Sequence, residues 1–476
     1  MNAAGETVDT VLRRAASGPG AVIEGSRRRT WAELDHAADE VATALAAAGA
    51  GGGRVAVRVE NTFAHLGAMF GIWRTGGTLV PLNPRLTASE SANLTSRARV
   101  VAEITPGSEK VTIESRAGGA PPDPALAAIA FTSGTTGEPK GVEITHDAMR
   151  FAAGTVARTR RDTAASVAAV VSPICHLPIF VSHVLCRIVT GGTIVLGSFD
   201  VSQLVAVIER HGVTDLPLVP AMIAPLLAHP GLAPGTTVAK VTVGSALTPL
   251  EMKQALAERF PGSEIIEAYG QTESTDGLTM TVGRDALVRP GTVGRPHQGI
   301  ELAIMDGEGR ILPAGTRGEI VCRGPTVMRG YLDDPAATRE ALRGGWLHSG
   351  DLGELDADGY LFITGRLKEI IISGGENVSP AEVEAVLGDH PAVADVAVVG
   401  LPDARWGECV AAAVVARTPV AAEALLTHAR TRLARFKCPR TVVFVDAIPR
   451  TSAGKIRRNA VRDALMRRSA ASASGN

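Results

Sequence analysis

Apolar positions along this chain switch repeatedly between helical and strand spacing, and that switching predicts its architecture. Thr30-Trp31-Ala32-Glu33 reads as a capping box, with Thr30 as N-cap and Glu33 three residues on. Leu34, Ala37, Val41, Ala44 and Leu45 then recur at helical spacing until Gly49 marks a stop. A strand over 55–59, a helix over 63–74 and a strand over 78–81 come next, followed by strands at 166–171 and 193–196 and a helix at 204–210. Strands alternating with helices predict an α/β fold with much parallel sheet.

The texture changes after Gly291. Short strands over 301–305 and 319–323 sit among Gly, Pro and Asp turns, which predicts a small β-rich subdomain. Beyond Arg366 the pattern is that of a separate α+β unit of about 110 residues, an ordinary domain size. A strand at 369–372 precedes Ser379-Pro380-Ala381-Glu382, in which Ser379 reads as N-cap, Pro380 as the first helical residue and Glu382 as the closing acid of the box. Strands at 393–399, 410–415 and 442–445 and a helix at 422–433 complete the unit, and 469–476 reads as a frayed tail. The expected division is an N-terminal domain over 1–365 built of stacked α/β subdomains plus the β-rich piece, a linker at 366–370, and a C-terminal domain over 371–476.

Composition narrows the function classes. Of 476 residues, 45% are hydrophobic and 20% charged, enough apolar material for large cores. The 48 basic and 49 acidic residues leave a net charge of −1, so no excess of Lys and Arg draws the chain to nucleic acid or an anionic membrane. Cys175, Cys186, Cys322, Cys409 and Cys438 are scattered, form no CxxC pair and suit neither a disulfide framework nor a structural zinc site. The first residues lack a basic stretch followed by an apolar one, and no segment is long and apolar enough to span a membrane, so a cytoplasmic enzyme is expected. There is no GxSxG elbow and no HExxH. Gly51-Gly52-Gly53 precedes a strand instead of following one, which makes it a loop and not a dinucleotide fingerprint. Arg27–Arg29 and Arg158, Arg160 and Arg161 are expected on the solvated surface.

The sharpest local signal is Phe131-Thr132-Ser133-Gly134-Thr135-Thr136-Gly137-Glu138-Pro139-Lys140-Gly141. Glycines allow a tight reversal, and successive N–H groups with interleaved hydroxyls can surround phosphate oxygens. Pro139 pushes Glu138 toward an extended conformation, so this loop is expected to join two strands, unlike a Walker A loop running into a helix. Four further segments follow in order: Glu267-Ala268-Tyr269-Gly270-Gln271-Thr272-Glu273; Trp346-Leu347-His348-Ser349-Gly350-Asp351; Gly365-Arg366-Leu367-Lys368-Glu369 continuing to Ser373-Gly374-Gly375-Glu376-Asn377; and Pro449-Arg450-Thr451-Ser452-Ala453-Gly454-Lys455. Together the five segments resemble the signatures of the adenylate-forming superfamily of acyl-CoA synthetases, peptide-synthetase adenylation domains and luciferases, over about residues 30–462.

That resemblance implies ATP-dependent activation of a carboxylic acid to an acyl-adenylate, then transfer to CoA, with Mg2+ as cofactor. It implies that Thr132, Ser133, Gly134, Thr135, Thr136, Gly137 and Lys140 hold the phosphates, and that Gly244, Ser245, Ala246, Glu267, Ala268, Tyr269 and Gly270 surround the nucleotide. Asp351 and Arg366 are implied to hold the ribose, Glu273 the Mg2+, and Thr272 the α-phosphate. Lys455 is implied to bridge the reacting carboxylate and the α-phosphate, His176 to sit near the acyl carboxylate, Gly374 and Gly375 to line the CoA path, and Lys368 to be a hinge for a mobile C-terminal domain.

Within the superfamily, the Ile372–Asn377 run resembles fatty-acyl and aryl-acyl CoA ligases. Phe199-Asp200-Val201-Ser202 imitates an amino-acid anchor but in the wrong register, and Ala268 stands where malonate-type ligases carry Arg. Ser349 replaces the usual Thr, and Leu177-Pro178-Ile179 departs from the usual small residues after His176. The alternative acceptors are a carrier protein or an amine, and the alternative substrate a small oxyacid such as nitrite. The acid and the oligomeric state are not readable.

Overall fold

The computed structural model describes residues 6–107, 111–116, 118–132, 139–232, 236–245, 248–373, 376–403, 407–433, 435–451 and 454–473. Contacts gather the chain into two compact units, residues 1–302 with 321–349, and residues 303–320 with 350–476. The expected linker at 366–370 lies inside the second unit.

The first unit is α/β, as its spacing predicts. Among the described residues it holds a seven-stranded sheet ordered 330–331, 140–145, 126–132, 78–82, 54–58, 102–106 and 111–115. A nine-stranded sheet is ordered 295–296, 277–280, 264–270, 240–243, 215–218, 167–170, 193–196, 21–24 and 27–30. The central strands of both sheets run parallel. Antiparallel strands close the edges. Thr30 caps Trp31–Ala47 with the full capping box, and Phe63–Arg74 is helical as expected. His146–Thr159 touches strands of both sheets, so this helix is part of what ties them together.

One expectation fails in an informative way. Arg160 is not on the surface but fully buried, because Asp162 and Asp215 draw it inward. Asp162 pairs with Arg160 at 2.7 Å, with Lys240 at 2.9 Å and with Arg187, and Asp215 pairs with Arg187. A second Arg160 nitrogen lies 3.0 Å from His183 Nδ1, where burial first and the neighbouring Arg160 charge second push the imidazole down to about 3. Arg29, expected to be solvated, lies over the Phe63 ring at 4.2 Å and is half-buried.

A four-stranded sheet is ordered Glu301–Met305, Gly318–Arg323, Leu347–Leu355 and Leu361–Arg366. A five-stranded sheet centres on the long hairpin of Val393–Asp403 and Gly407–Ala416. Period-2 alternation splits that hairpin between two cores. Val396, Val398, Val410, Ala412 and Val414 join the core that holds Val383, Leu387, Leu425 and Ala429, from helices Pro380–Gly388 and Ala422–Arg430. Ala397, Val399, Leu401, Ala411 and Ala413 join Val461 and Leu465 from helix Arg458–Ala473. Two corrections follow here. Ser379 precedes its helix as expected but caps nothing, since its hydroxyl donates to Thr364 O at 2.7 Å. The tail expected to fray from residue 469 continues as helix to Ala473.

All five cysteines are free and buried. No helix among the described residues is long and apolar enough to cross a membrane.

Removing one member of a buried ion network leaves its partners uncompensated, at a cost of about 3–5 kcal/mol. Asp162→Ala is therefore expected to lower the urea midpoint by that equivalent. A loss below about 1 kcal/mol, the size of an exposed pair, would show that the network contributes little.

Candidate active site

A parallel sheet sends the carboxyl ends of its strands to one edge, where loops are free to carry chemistry. Strands 264–270, 240–243, 215–218 and 167–170 are parallel neighbours in the nine-stranded sheet. His176 follows the last of them, Gly244 and Ser245 follow 240–243, and Thr272 and Glu273 follow 264–270. The fold thus brings these five expected residues to one edge.

Each loop is shaped locally. Asn61 Nδ2 lies within 3.1 Å of the carbonyls of Val170, Ser172 and Gly197, and its Oδ1 accepts from Ile174 N, which fixes the turn ahead of His176. His176, half-buried, is the N-cap residue of a short helix that widens into a π-helix over Phe180–Leu185. Ser245 adopts a left-handed conformation at φ 70°, beside Gly244 whose missing Cβ would lie 3.5 Å from Ala268 O. Gly270 is required, because a Cβ there would lie 2.2 Å from Asp276 O. Tyr269 is buried, and Ala268 pairs with Met280 across the strands. Glu267 is buried at 1% exposure and 3.1 Å from Lys253. Burial pushes its carboxyl up to about 7 while Lys253 pulls the other way.

Thr272 opens a single 3-10 turn over Thr272–Ser274, and Thr275 after it is forced to φ 65°. A β-branched residue at positive φ is strained, so neighbouring contacts must hold it. Thr275 Oγ1 donates to Thr326 O at 2.6 Å, Met328 N donates to Glu273 O at 2.8 Å, and Tyr331 OH donates to Glu273 Oε1 at 3.0 Å.

The glycine-rich loop joins two antiparallel strands, Leu126–Thr132 and Lys140–Thr145, with Thr132 directly opposite Lys140. Ser133, Gly134, Thr135, Thr136 and Gly137 lie outside the described residues, as do Ala246, Gly374 and Gly375. Lys140 Nζ stands 4.8 Å above the Tyr331 ring centroid, so the loop's lysine and Glu273 flank one phenol.

The remaining candidates belong to the second unit. Asp351 and Arg366 are directly opposed across antiparallel strands, with Arg366 Nε 2.7 Å from Asp351 Oδ1. Asp351 is buried and Arg366 exposed, so the guanidinium orients a carboxylate that is otherwise withdrawn from water. Lys455 is exposed in a tight turn, in which its N–H donates to Thr451 Oγ1 at 3.2 Å and Thr451 N donates back to Lys455 O at 2.8 Å. Arg450 anchors this turn through Asp395 at 2.7 and 2.9 Å. Lys368 is the middle residue of a 3-10 turn whose next residue, Glu369, pairs with Arg458 at 2.6 Å.

Two contributors went unread in the sequence. Tyr331 lies far along the chain from Glu273, in a two-residue strand with no periodic signature. Asp276 is buried, and Ser182 on the π-helix donates to its carboxylate at 2.6 Å, tying the His176 segment to the Glu273 segment. Burial pushes Asp276 up to about 6. The acid at Glu273+3 and the serine at His176+6 share no motif that would have flagged them.

Magnesium takes hard oxygen ligands, commonly one or two carboxylates with phosphate oxygens and waters completing the shell. Among the described residues no group of three His, Cys, Asp or Glu gathers as a metal cage. A lone glutamate such as Glu273, with one oxygen already oriented by a phenol, fits a nucleotide-borne Mg2+.

Residues 11–332 match the family described as AMP-binding enzyme, and residues 382–455 match the AMP-binding enzyme C-terminal domain. The chain is 34% identical to a feruloyl-CoA synthase of an Amycolatopsis species over 95% of this chain and 97% of that one. It is 35% identical to a fatty acid–[acyl-carrier-protein] ligase of Streptomyces coeruleorubidus over 94% of this chain and 93% of that one. Among solved structures, o-succinylbenzoate coenzyme A synthetase of Bacillus subtilis in complex with ATP and magnesium superposes with a TM-score of 0.84 at 30% identity, covering 95% of this chain and 98% of that one. This chain belongs to the AMP-binding enzyme family.

Proposed function

We propose that this protein is an AMP-forming acid–CoA ligase. A carboxylate oxygen of the acid attacks the α-phosphorus of ATP, the bond to pyrophosphate breaks, and an acyl-adenylate forms. The CoA thiol then attacks the acyl carbonyl, gives up its proton, and AMP leaves. The observation that carries this reading is the position of Lys140 and Glu273 on either side of Tyr331, a lysine cation beside a glutamate carboxylate, as binding of phosphate and metal would require.

Bringing two anions together needs fixed positive charge and donors, not covalent help from the protein. Lys140 and Thr132 bind the leaving phosphates, and Thr272 donates to the α-phosphate. Glu273 would hold Mg2+, which when bound would supply charge to offset that of the phosphates. Asp351, oriented by Arg366, accepts from the ribose hydroxyls. Lys455, on its exposed turn, supplies the charge that draws carboxylate and α-phosphate together, and His176 orients the acyl carboxylate. The pantetheine thiol of a carrier protein is a second acceptor with the same chemistry, favoured by the carrier-protein ligase among the relatives. Exchange of labelled pyrophosphate into ATP over a panel of carboxylic acids tests the first step; AMP release with CoA or carrier protein tests the second. Silence over the whole panel would sink the reading.

Three outcomes are expected. Lys455→Ala should cut pyrophosphate exchange by about 100-fold or more while sparing thioester formation from supplied acyl-adenylate, since it serves the step in which charge builds up on the α-phosphate. Equal loss in both half-reactions would argue against that role.

Glu273→Gln keeps the shape but removes the charge, so the Mg2+ needed for half-maximal exchange should rise by about tenfold or more with little change in KM for the acid. An unchanged Mg2+ curve would place the metal elsewhere.

Lys368 is proposed as the pivot about which the C-terminal domain, residues 371–476, turns between the two steps. Lys368→Pro fixes φ near −65°. Exchange should survive while thioester formation slows by about 100-fold or more. Full rates in both steps would remove Lys368 from that role.

A further inference from the structure

Residues 326–332 form a strap across the two segments that carry the opposite charges of the site. At one end Thr326 O accepts from Thr275 Oγ1 at 2.6 Å and Met328 N donates to Glu273 O at 2.8 Å, which holds the strained turn after Glu273. At the other end Gly330 and Tyr331 pair with Glu143 and Val142, and Leu332 N donates to Gly141 O at 2.7 Å, beside Lys140. Between them Arg329 pairs with Asp123 at 2.5 Å and Glu143 at 2.9 Å, pinning the strap to the strand that begins at Lys140. Tyr331 is the residue whose side chain faces both charges: its hydroxyl donates to Glu273 Oε1 at 3.0 Å and its ring lies under Lys140 Nζ at 4.8 Å.

We propose that Tyr331 is a positioning residue for the adenylation step, fixing the Glu273 carboxylate for Mg2+ and the Lys140 ammonium for the ATP phosphates in one arrangement. With Oε1 engaged by a donor, Oε2 would be left to hold the metal, and a ring face beneath an ammonium attracts it and sets its height above the ring. The ring and the hydroxyl therefore have separable duties. This rests on the adenylating reading above.

Three tyrosines in the chain make the test direct. Ring-13C-tyrosine labelling gives signals from Tyr269, Tyr331 and Tyr360, with Tyr331 assigned by its loss in Tyr331→Phe. In Glu273→Gln the Tyr331 signal should shift with no nucleotide present, and in the parent it should broaden when Mn2+ and ATP are added. In kinetics, Tyr331→Phe should raise the Mg2+ needed for half-maximal exchange by about tenfold, as loss of a hydrogen bond to a charged group implies, with the acid KM unchanged. Tyr331→Leu should in addition raise the ATP KM about threefold, because the ring under Lys140 is gone.

A Tyr331→Phe protein that melts like the parent and keeps its Mg2+ curve overturns the proposal. So does a Tyr331 signal indifferent to Glu273→Gln, or an ATP KM equal in the Phe and Leu variants. If the parent exchanges no pyrophosphate with any acid yet Mn2+ with ATP still broadens Tyr331, the adenylating reading falls while the positioning of metal and nucleotide by Tyr331 stands. No broadening in a parent that does exchange pyrophosphate overturns the positioning role alone.

Discussion

Parallel strand direction is the constraint on which the rest of the first unit depends. Four neighbouring strands, 264–270, 240–243, 215–218 and 167–170, run the same way, so the loops that leave them crowd one edge. His176, Ser245 and Glu273 are separated by up to about a hundred positions along the chain, and this shared direction is what brings them to one edge. The glycine-rich loop joins by another route. Its flanking strands are antiparallel, with Thr132 facing Lys140, so the loop is a hairpin tip whose root is fixed in register. A Walker A loop aims a helix N-terminus at phosphate, whereas this loop leads from strand to strand.

The interior of the same unit contains charge, and the charge is organised. Asp162 meets Arg160, Arg187 and Lys240, and Asp215 meets Arg187. Arg160 also reaches Ser182 O at 2.8 Å, and the Ser182 hydroxyl donates to Asp276, three residues beyond Glu273. A connected set of polar contacts therefore runs from the buried ion network through the π-helix to the turn that bears the candidate metal ligand. π-helical widening is uncommon and tends to occur where a side chain must be re-aimed. Here it carries Ser182 and His183 toward Asp276 and Arg160 respectively.

What the sequence disclosed and what it withheld divide along a physical line. Local rules worked where local forces decide. The Thr30–Glu33 capping box, helix Phe63–Arg74, the hairpin of the glycine-rich loop and the strands of the long C-terminal hairpin all stand close to where spacing puts them. Non-local forces defeated the same rules elsewhere. Arg160 looks like one of three surface arginines until Asp162 and Asp215 surround it, and Ser379 looks like a cap until Thr364 O takes its hydroxyl. Tyr331 and Asp276 carry no signal because their partners, Glu273 and Ser182, lie 58 and 94 positions away. Motifs marked Lys140 and Glu273 as candidates but gave no sign of Tyr331, which touches both.

That distinction bears on the second unit as well. Asp351 and Arg366 are opposed across a sheet, held by backbone register on both sides, and their geometry belongs to a rigid element. Lys455 is exposed, in a turn fastened at its base by Arg450 to Asp395 and followed two residues later by helix Arg458–Ala473. A carboxylate that must meet two adjacent hydroxyls needs a fixed direction, which a sheet supplies. A lysine acting as a point charge needs reach more than direction, because an ammonium has three equivalent donors and a long stem. Asp351 thus sits on a rigid element and Lys455 on a projecting one, as the proposed ribose acceptor and the proposed mobile charge would each require.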